Sequence, residues 1–558
     1  MKKKVIFLIL IALPIVVGIF LYAAGLFYLI GARLSLDQLT PLTYIHVGQE
    51  LSPSHPLYEK WVNAGKVAGL SITLLIAFLI YKLTELGESD VYGKAKFASL
   101  WDLKSAGLLS PSDTAVVVGR IAGRYIYLSG QQFALLAAPT RSGKGVGIVI
   151  PNLLTYRESI VVLDIKQENF DLTSGFRAAH GQEIYLFNPY AEDGRTHRWN
   201  PLTYVSSNPK FWVADLTTLA TIMYPNNPEG KDQFFKNQAK NTFVALGLFM
   251  LERRKYEIDA GCPAYFLSPV SFGELYRMST AESGTLRDHF NELLQVEYLS
   301  ESTRNAFSGM LSLNEEVFAS VAGTFKEPLL PWLNPVVDMA TAGDDFLITD
   351  VRKRRMTIYV CLPPNKLPES QLMVNLFFSQ LINENTRELP QTNPELKHQC
   401  LLLMDEFTSI GRVEIIAKAV GYMAGYNLRL FPIIQSLSQL DSTYGKEDSR
   451  TLITNHALQI IYTPRLQADA NEYSEMLGYR SARKGSRTIA KEGSVNIGEE
   501  KRALMLPQEL RAMSSEKQVL MYESITSPIL AEKIRYYKDP LLKKRLYPKV
   551  EIPKLDFD

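Results

Sequence analysis

Residues 137–147, AAPTRSGKGVG, constrain this chain more than any other stretch. They follow the apolar run 133–137 and open a second apolar segment, VGIVIPNLL. A buried strand, a tight glycine-bearing turn and a helix start with Gly-Lys make a cradle for phosphates. Backbone N–H groups and the positive end of the helix dipole face the anion, and a lysine reaches the outer phosphates. Here the lysine is Lys144, with Thr140, Arg141, Ser142, Gly143 and Gly145 as the candidate contacts around it. The usual pattern is GxxxxGK[ST]. Ala138 stands at its first glycine and Gly145 at its hydroxyl residue, so those fixed positions deviate. A glycine-rich turn between a buried strand and a helix is the plain alternative.

Residues 400–407, CLLLMDEF, are a continuous apolar strand ending in adjacent carboxylates. In a nucleotide hydrolase Asp405 would hold Mg²⁺ and Glu406 would orient or deprotonate the attacking water. Read alone, the pair is equally well a helix cap. A strand-borne GKG and a strand-borne DE in one chain make ATP hydrolysis the leading reading.

Length and charge bound the rest. A chain of 558 residues exceeds one ordinary core. A net charge of +2 argues against a protein that coats nucleic acid, without excluding a local basic channel. Cys262, Cys361 and Cys400 are unclustered and read as reduced core residues, and the seven histidines show no ligand spacing, so no structural metal is expected. Residues 5–30 carry no charge, follow Lys2, Lys3 and Lys4, and are long enough to span a bilayer. The rival is a signal peptide cleaved after Tyr22-Ala23-Ala24, but its apolar region would be too long. A second run, 67–81, is short; Trp61 and the stem of Lys66 extend it, and Lys82, Lys94, Lys96 and Lys104 follow. Positive outer flanks predict a hairpin with both ends inside. A buried helix is the alternative for the second run.

After residue 110 short apolar runs alternate with helical segments. Strands are expected at 115–118, 125–128, 133–137, 160–164, 184–187, 356–362, 401–404, 430–434 and 458–462. Continuous rather than alternating apolar runs predict a mostly parallel sheet covered on both faces, an α/β fold. Ligands of such sheets sit at the carboxyl ends of strands, where residues 138–144, Asp164, Asp405 and Gln435 fall. Residues 208–330 read instead as helices, at 211–223, 232–253, 272–278, 285–294 and 301–325, and are assigned to an inserted all-α domain. Residues 480–500, rich in Ser, Gly, Lys and Glu, read as a mobile surface loop. The resulting division is 1–85 hairpin, 86–207 nucleotide domain, 208–330 insertion and 331–558 nucleotide domain, second part.

These segments together resemble the type IV secretion coupling proteins, the TraG family of conjugation ATPases. VYGKAKFA, APTRSGKGVG with IPNLL, VVLDIKQENF, FNPY, WNPL, TIYVCLPP, LLLMDEF, IIQS and RALMLPQEL occur in the family's order over nearly the whole chain. The resemblance implies a multi-pass ATPase of the bacterial inner membrane, with a cytoplasmic RecA-like P-loop domain, hexameric, using ATP and Mg²⁺. It implies delivery of effector proteins, or of a relaxase with single-stranded DNA, received by the all-α domain and passed to other inner-membrane components of a secretion channel. It makes Lys144 the phosphate contact, Asp405 the metal carboxylate, Glu406 the catalytic carboxylate and Gln435 the γ-phosphate sensor. A water or Thr140 would replace the hydroxyl missing at Gly145. Arg412, Arg429 and Arg465 are candidates for an arginine finger, each with a structural alternative. Asp164, Lys166 and Glu168 divide between a place near the phosphates and a helix cap, the cap favoured. A nucleotide-binding membrane scaffold and a DNA-pumping translocase are the competing functions.

Overall fold

A computed structural model describes residues 2–85, 91–226, 230, 232–281, 283–487 and 495–556. By compactness the chain divides into two units, Met1–Lys94 with Tyr479–Arg502, and Ala95–Gly478 with Ala503–Asp558.

In the first unit, helix Lys2–Ala32 packs along helix Tyr58–Glu85. Small residues allow the approach: Ala24, Ala64 and Ala68 are buried beside Tyr28 and Leu29. Within these helices Pro14–Ala32 and Tyr58–Phe78, 19 and 21 residues, are long and apolar enough to cross a bilayer. The second helix starts at Tyr58, so Trp61 and Lys66 lie inside it rather than flanking a short run. Between the helices the rings of Tyr44 and Trp61 stack at 4.9 Å, and each residue's side chain donates to the other's carbonyl.

The same unit holds a correction. Residues expected to form a loop build a two-stranded sheet, Tyr479–Arg487 with Val495–Ala503; residues 488–494 lie outside the described residues. The sequence signal was composition alone, and a run rich in Ser, Gly, Lys and Glu gives no apolar period to read.

The second unit is built on an eleven-stranded sheet. Its strands are β1 (Val116–Ile121), β2 (Arg124–Leu128), β3 (Ala134–Ala137), β4 (Ser159–Asp164), β5 (Glu183–Phe187), β6 (Met356–Cys361), β7 (Cys400–Met404), β8 (Leu428–Ile434) and β9 (Leu458–Ile461). The two strands of the first unit being β10 and β11, the remaining pair are β12 (Lys517–Tyr522) and β13 (Ile529–Glu532). The order is β2-β1-β13-β12-β9-β3-β8-β7-β4-β6-β5. From β9 to β5 every pairing is parallel, whereas β12 joins β9 antiparallel and β13, β1 and β2 continue so. The sheet is therefore mixed, with its larger part parallel as expected and an antiparallel remainder at one side.

β3, β4, β6, β7 and β8 are buried on both faces, which explains their unbroken apolar runs. Along β4, Val161 and Leu163 enter one core and Ile160 and Val162 the other. Between β5 and β6 the described residues form helices and turns without a strand. The principal helices are Trp212–Met223, Gln233–Asp259, Phe272–Met278, Leu286–Leu293, Glu301–Leu311 and Glu315–Lys326. The expected helix 301–325 is two, because Asn314 accepts from the Val317 N–H and caps a fresh start. These helices are not walled off from the sheet. Trp212, Leu216, Phe243 and Trp332 belong to the same continuous core as Phe187, Trp199 and Phe377.

Candidate nucleotide site

β3 is fully buried and runs into the turn expected to cradle phosphates, with Ala138 N–H held by the Ile434 carbonyl at 2.8 Å. The turn closes through Ser142 N–H to Pro139 O at 3.1 Å, and Arg141 and Gly143 take positive φ of 60° and 87°. The left-handed backbone at Gly143 suits a residue without Cβ. The following helix opens with a wide π-type turn, Gly145–Val149, before Ile150–Leu153. Such turns recur at functional sites. At Gly147 the absent side chain leaves room for the Tyr462 hydroxyl.

Three strand ends meet here. Lys144 Nζ lies 3.2 Å from Asp405 Oδ1 and pairs still more closely with Glu406. Glu406 occupies the left-handed region at φ 57°, a strained place for a residue with a Cβ. That turn sends its carboxylate toward Gln435, whose amide Nε2 donates to Glu406 Oε2 at 2.9 Å. Thr140 Oγ1 in turn donates to Gln435 Oε1 at 3.2 Å. Lys144, Asp405, Glu406, Gln435 and Thr140 are thus one connected network at the carboxyl ends of β3, β7 and β8. Burial pushes the Asp405 carboxyl up, against the pull of the Lys144 ammonium, with the Glu406 charge adding to the rise.

The oxygen donors suit a small hard cation bound together with phosphates. Mg²⁺ sites of this kind take one or two carboxylates and fill the remaining positions with phosphate and water. Asp405 Oδ1 is buried with the Lys144 ammonium beside it, and the buried Ser142 hydroxyl in the turn lacks a hydrogen-bond partner. No cluster of three or more His, Cys, Asp or Glu that could hold a metal exists among the described residues.

The other candidates separate. Asp164 is 2 % exposed and accepts from Phe170 N–H at 2.9 Å and Asn169 Nδ2 at 3.2 Å, so it fastens the start of helix Glu168–Ala179. Burial raises its carboxyl to about 7. Lys166 and Glu168 are exposed. Arg429 is buried and donates to the carbonyls of Gln132, Thr114 and Leu128, a structural tie. Arg412 is bound by Glu414, Asp448 and the Tyr444 carbonyl. Arg465 remains at the turn, donating to Thr140 O at 2.8 Å.

Sequence reading missed Lys533 and Arg535, which follow β13 and line the flank of the turn together with Arg465. No motif marks them. The available signal was a buried-type strand, ILAE, running into Lys-Ile-Arg, legible only once β13 is known to lie near β3.

Comparison with known proteins agrees with this geometry. Residues 96–554 match the model of the family described as Type IV secretory system Conjugative DNA transfer. Protein VirD4 of Rhizobium radiobacter is 28% identical over 505 residues, covering 88% of this chain and 70% of that protein. A conjugal transfer protein TraG of Escherichia coli is 28% identical over 562 residues, covering 90% and 86%. Among solved structures, the unbound bacterial conjugative coupling protein TrwBdeltaN70 superposes with a TM-score of 0.57 at 16% identity, over 81% of this chain and 97% of that one. Plasmid coupling protein TrwB in complex with ADP and Mg²⁺ gives 0.56 at 15%, over 83% and 98%. These two likenesses show the shared fold. The family match spans most of the chain, and this protein belongs to the type IV secretion coupling proteins.

Proposed function

We propose that this chain is a membrane-anchored, Mg²⁺-dependent ATPase that couples cargo to a type IV secretion channel. The observation that carries the reading is the network joining Lys144, Asp405, Glu406, Gln435 and Thr140 at three adjacent strand ends. Hydrolysis of a phosphoanhydride needs chiefly positioning and charge stabilisation, and these residues supply both. The negative charge of a triphosphate competes for Lys144, drawing the ammonium from the two carboxylates onto the β- and γ-phosphates. Glu406, relieved of that ion pair and held through Gln435, accepts the proton of the attacking water. In this reading the Gln435 amide donates to the γ-phosphate. Thr140, Arg141, Ser142, Gly143 and Gly145 line the phosphates with N–H groups. Mg²⁺, when bound with ATP, screens the phosphate charge; Asp405 would hold it, with Thr140 the candidate hydroxyl in place of Gly145.

The remaining assignments follow the family. The hairpin within 1–85 crosses the inner membrane with both ends cytoplasmic, and 86–207 with 331–558 form the motor. The helical stretch 208–330 acts as the inserted domain that receives effector proteins or a relaxase carrying single-stranded DNA. The protomers assemble as a hexamer among other inner-membrane components. Steady-state ATP turnover of the full chain in detergent or nanodiscs tests the reading. Wild type should hydrolyse ATP only with Mg²⁺, and Lys144→Ala and Glu406→Gln should not. Equal rates in all three would remove the enzymatic assignment.

A further inference from the structure

A cavity of about 490 Å³ opens on the flank of the phosphate turn away from Asp405 and Glu406, lined by Arg141, Arg465, Arg511, Lys533 and Arg535 with Ser142 and Gly143. Among the described residues no carboxylate lines it. Arg535 has an ion-pair partner, Glu516 at 3.3 Å, and the other four cations have none among the described residues. Arg465 and Arg511 donate to Thr140 O and Gln467 Oε1.

Lys533 is the unusual member. It is 5 % exposed, its Nζ stands 3.4 Å from the Ser142 carbonyl and 3.7 Å from the centre of the Tyr462 ring. Burying an ammonium on a carbonyl and a π-face, without a carboxylate, is costly unless an anion completes the site. Burial, aided by the neighbouring Arg535 charge and opposed by that of Glu516, holds the Lys533 ammonium down at about 8. The opening has the size of a small-molecule site rather than a polymer groove. Lys533 grips the carbonyl of the same residue, Ser142, that precedes Gly143 and Lys144, so both flanks of one turn face phosphate-binding chemistry.

We propose that this cavity is a second phosphate contact for the nucleotide held by Lys144, with Lys533 as a nucleotide-binding residue and Arg465 and Arg511 at its rim. The inference rests on the nucleotide reading given above. It is tested by titrating the full-length protein in nanodiscs with mant-ADP, comparing wild type, Lys144→Ala, Lys533→Met and Lys533→Arg. The methionine keeps an apolar stem over Tyr462 and removes only the charge. Expected are a tenfold or greater loss of affinity for Lys533→Met, recovery to within about threefold in Lys533→Arg, and nucleotide-free melting unchanged. Affinity within twofold of wild type in Lys533→Met overturns the proposal. If Lys144→Ala weakens binding in that same set, the nucleotide reading survives its loss; if wild type binds no mant-ADP, both fall. Should Lys533→Met fail to fold, the exposed Arg465→Gln and Arg511→Gln decide by the same measure, a combined fivefold loss supporting and no change refuting. Radiolabelled inorganic phosphate, or a single-stranded oligonucleotide, bound alongside saturating ADP and lost in Lys533→Met would assign the cavity to that ligand and overturn the proposal.

Discussion

The two flanks of the phosphate turn differ in charge and in the architecture that supplies it. On one side stand β8 and β7, parallel to β3, ending in Gln435, Asp405 and Glu406, which close on Lys144. On the other stand β9 and the antiparallel pair β12 and β13, bringing Arg465, Lys533 and Arg535 with no carboxylate in the cavity they line. A parallel strand delivers its carboxyl end to the site, and acids there can meet both the water and a metal. β9 is parallel to β3, and β13, reversed twice through β12, runs in that same sense, so Arg465, Lys533 and Arg535 also lie beyond carboxyl ends; they are cations suited to holding charge rather than moving protons. Under the proposed function the difference implies a division of labour, with the acidic flank performing the chemistry and the basic flank contributing to binding.

The largest effect expected is on the acidic flank. Glu406→Gln preserves shape and removes the base, and should lower turnover by about 10²–10⁴-fold while leaving ATP affinity within a few-fold. Rapid-quench single-turnover assays measure this, and a full rate in the variant would break the contrast. Lys144→Ala removes charge-assisted phosphate contacts, and should weaken nucleotide binding by about 10–100-fold in equilibrium titration. Gln435→Ala should cost about tenfold or more in turnover, as loss of one aimed donor does, with little change in affinity. An affinity loss without a rate loss would move Gln435 to the binding side.

The smallest effect concerns Asp164, beneath the acidic flank. Its carboxyl is raised from 3.8 to about 7 by burial, so the folded state holds its proton more firmly than the unfolded state does. A raised folded value means that this group's contribution is complete below pH 3.8 and is lost as pH rises through about 7. Asp164→Asn should therefore flatten the decline of melting temperature between pH 4 and 8 relative to wild type, by about 1–2 °C. Parallel curves across that range would show that Asp164 is not so perturbed.

The acidic flank was legible in the sequence because parallel strands buried on both faces leave continuous apolar runs, and the candidate residues stand at their ends. Residues 133–137, 401–404 and 430–434 located β3, β7 and β8 to within a few residues, and with them Lys144, Asp405, Glu406 and Gln435. The basic flank was not legible. KQVLMY and ILAE are short, lie more than fifty residues beyond β9 in sequence, and join the sheet antiparallel, so nothing local announces that they reach the turn. The strands Tyr479–Arg487 and Val495–Ala503 escaped for the related reason that their polar composition sets no apolar period. The helical stretch was legible as helices, but its core runs on into that of the sheet through Trp199 and Phe377, a tertiary fact no spacing encodes.

Separating kcat from affinity across the two flanks tests the division most directly. Mg²⁺-dependent ATP turnover and mant-nucleotide affinity are measured together on wild type, Glu406→Gln and Lys533→Met. The account predicts a crossed pattern: Glu406→Gln loses kcat by at least about a hundredfold with affinity kept, and Lys533→Met loses affinity with kcat at saturation kept. Loss of the same parameter in both variants, or of neither, would contradict it.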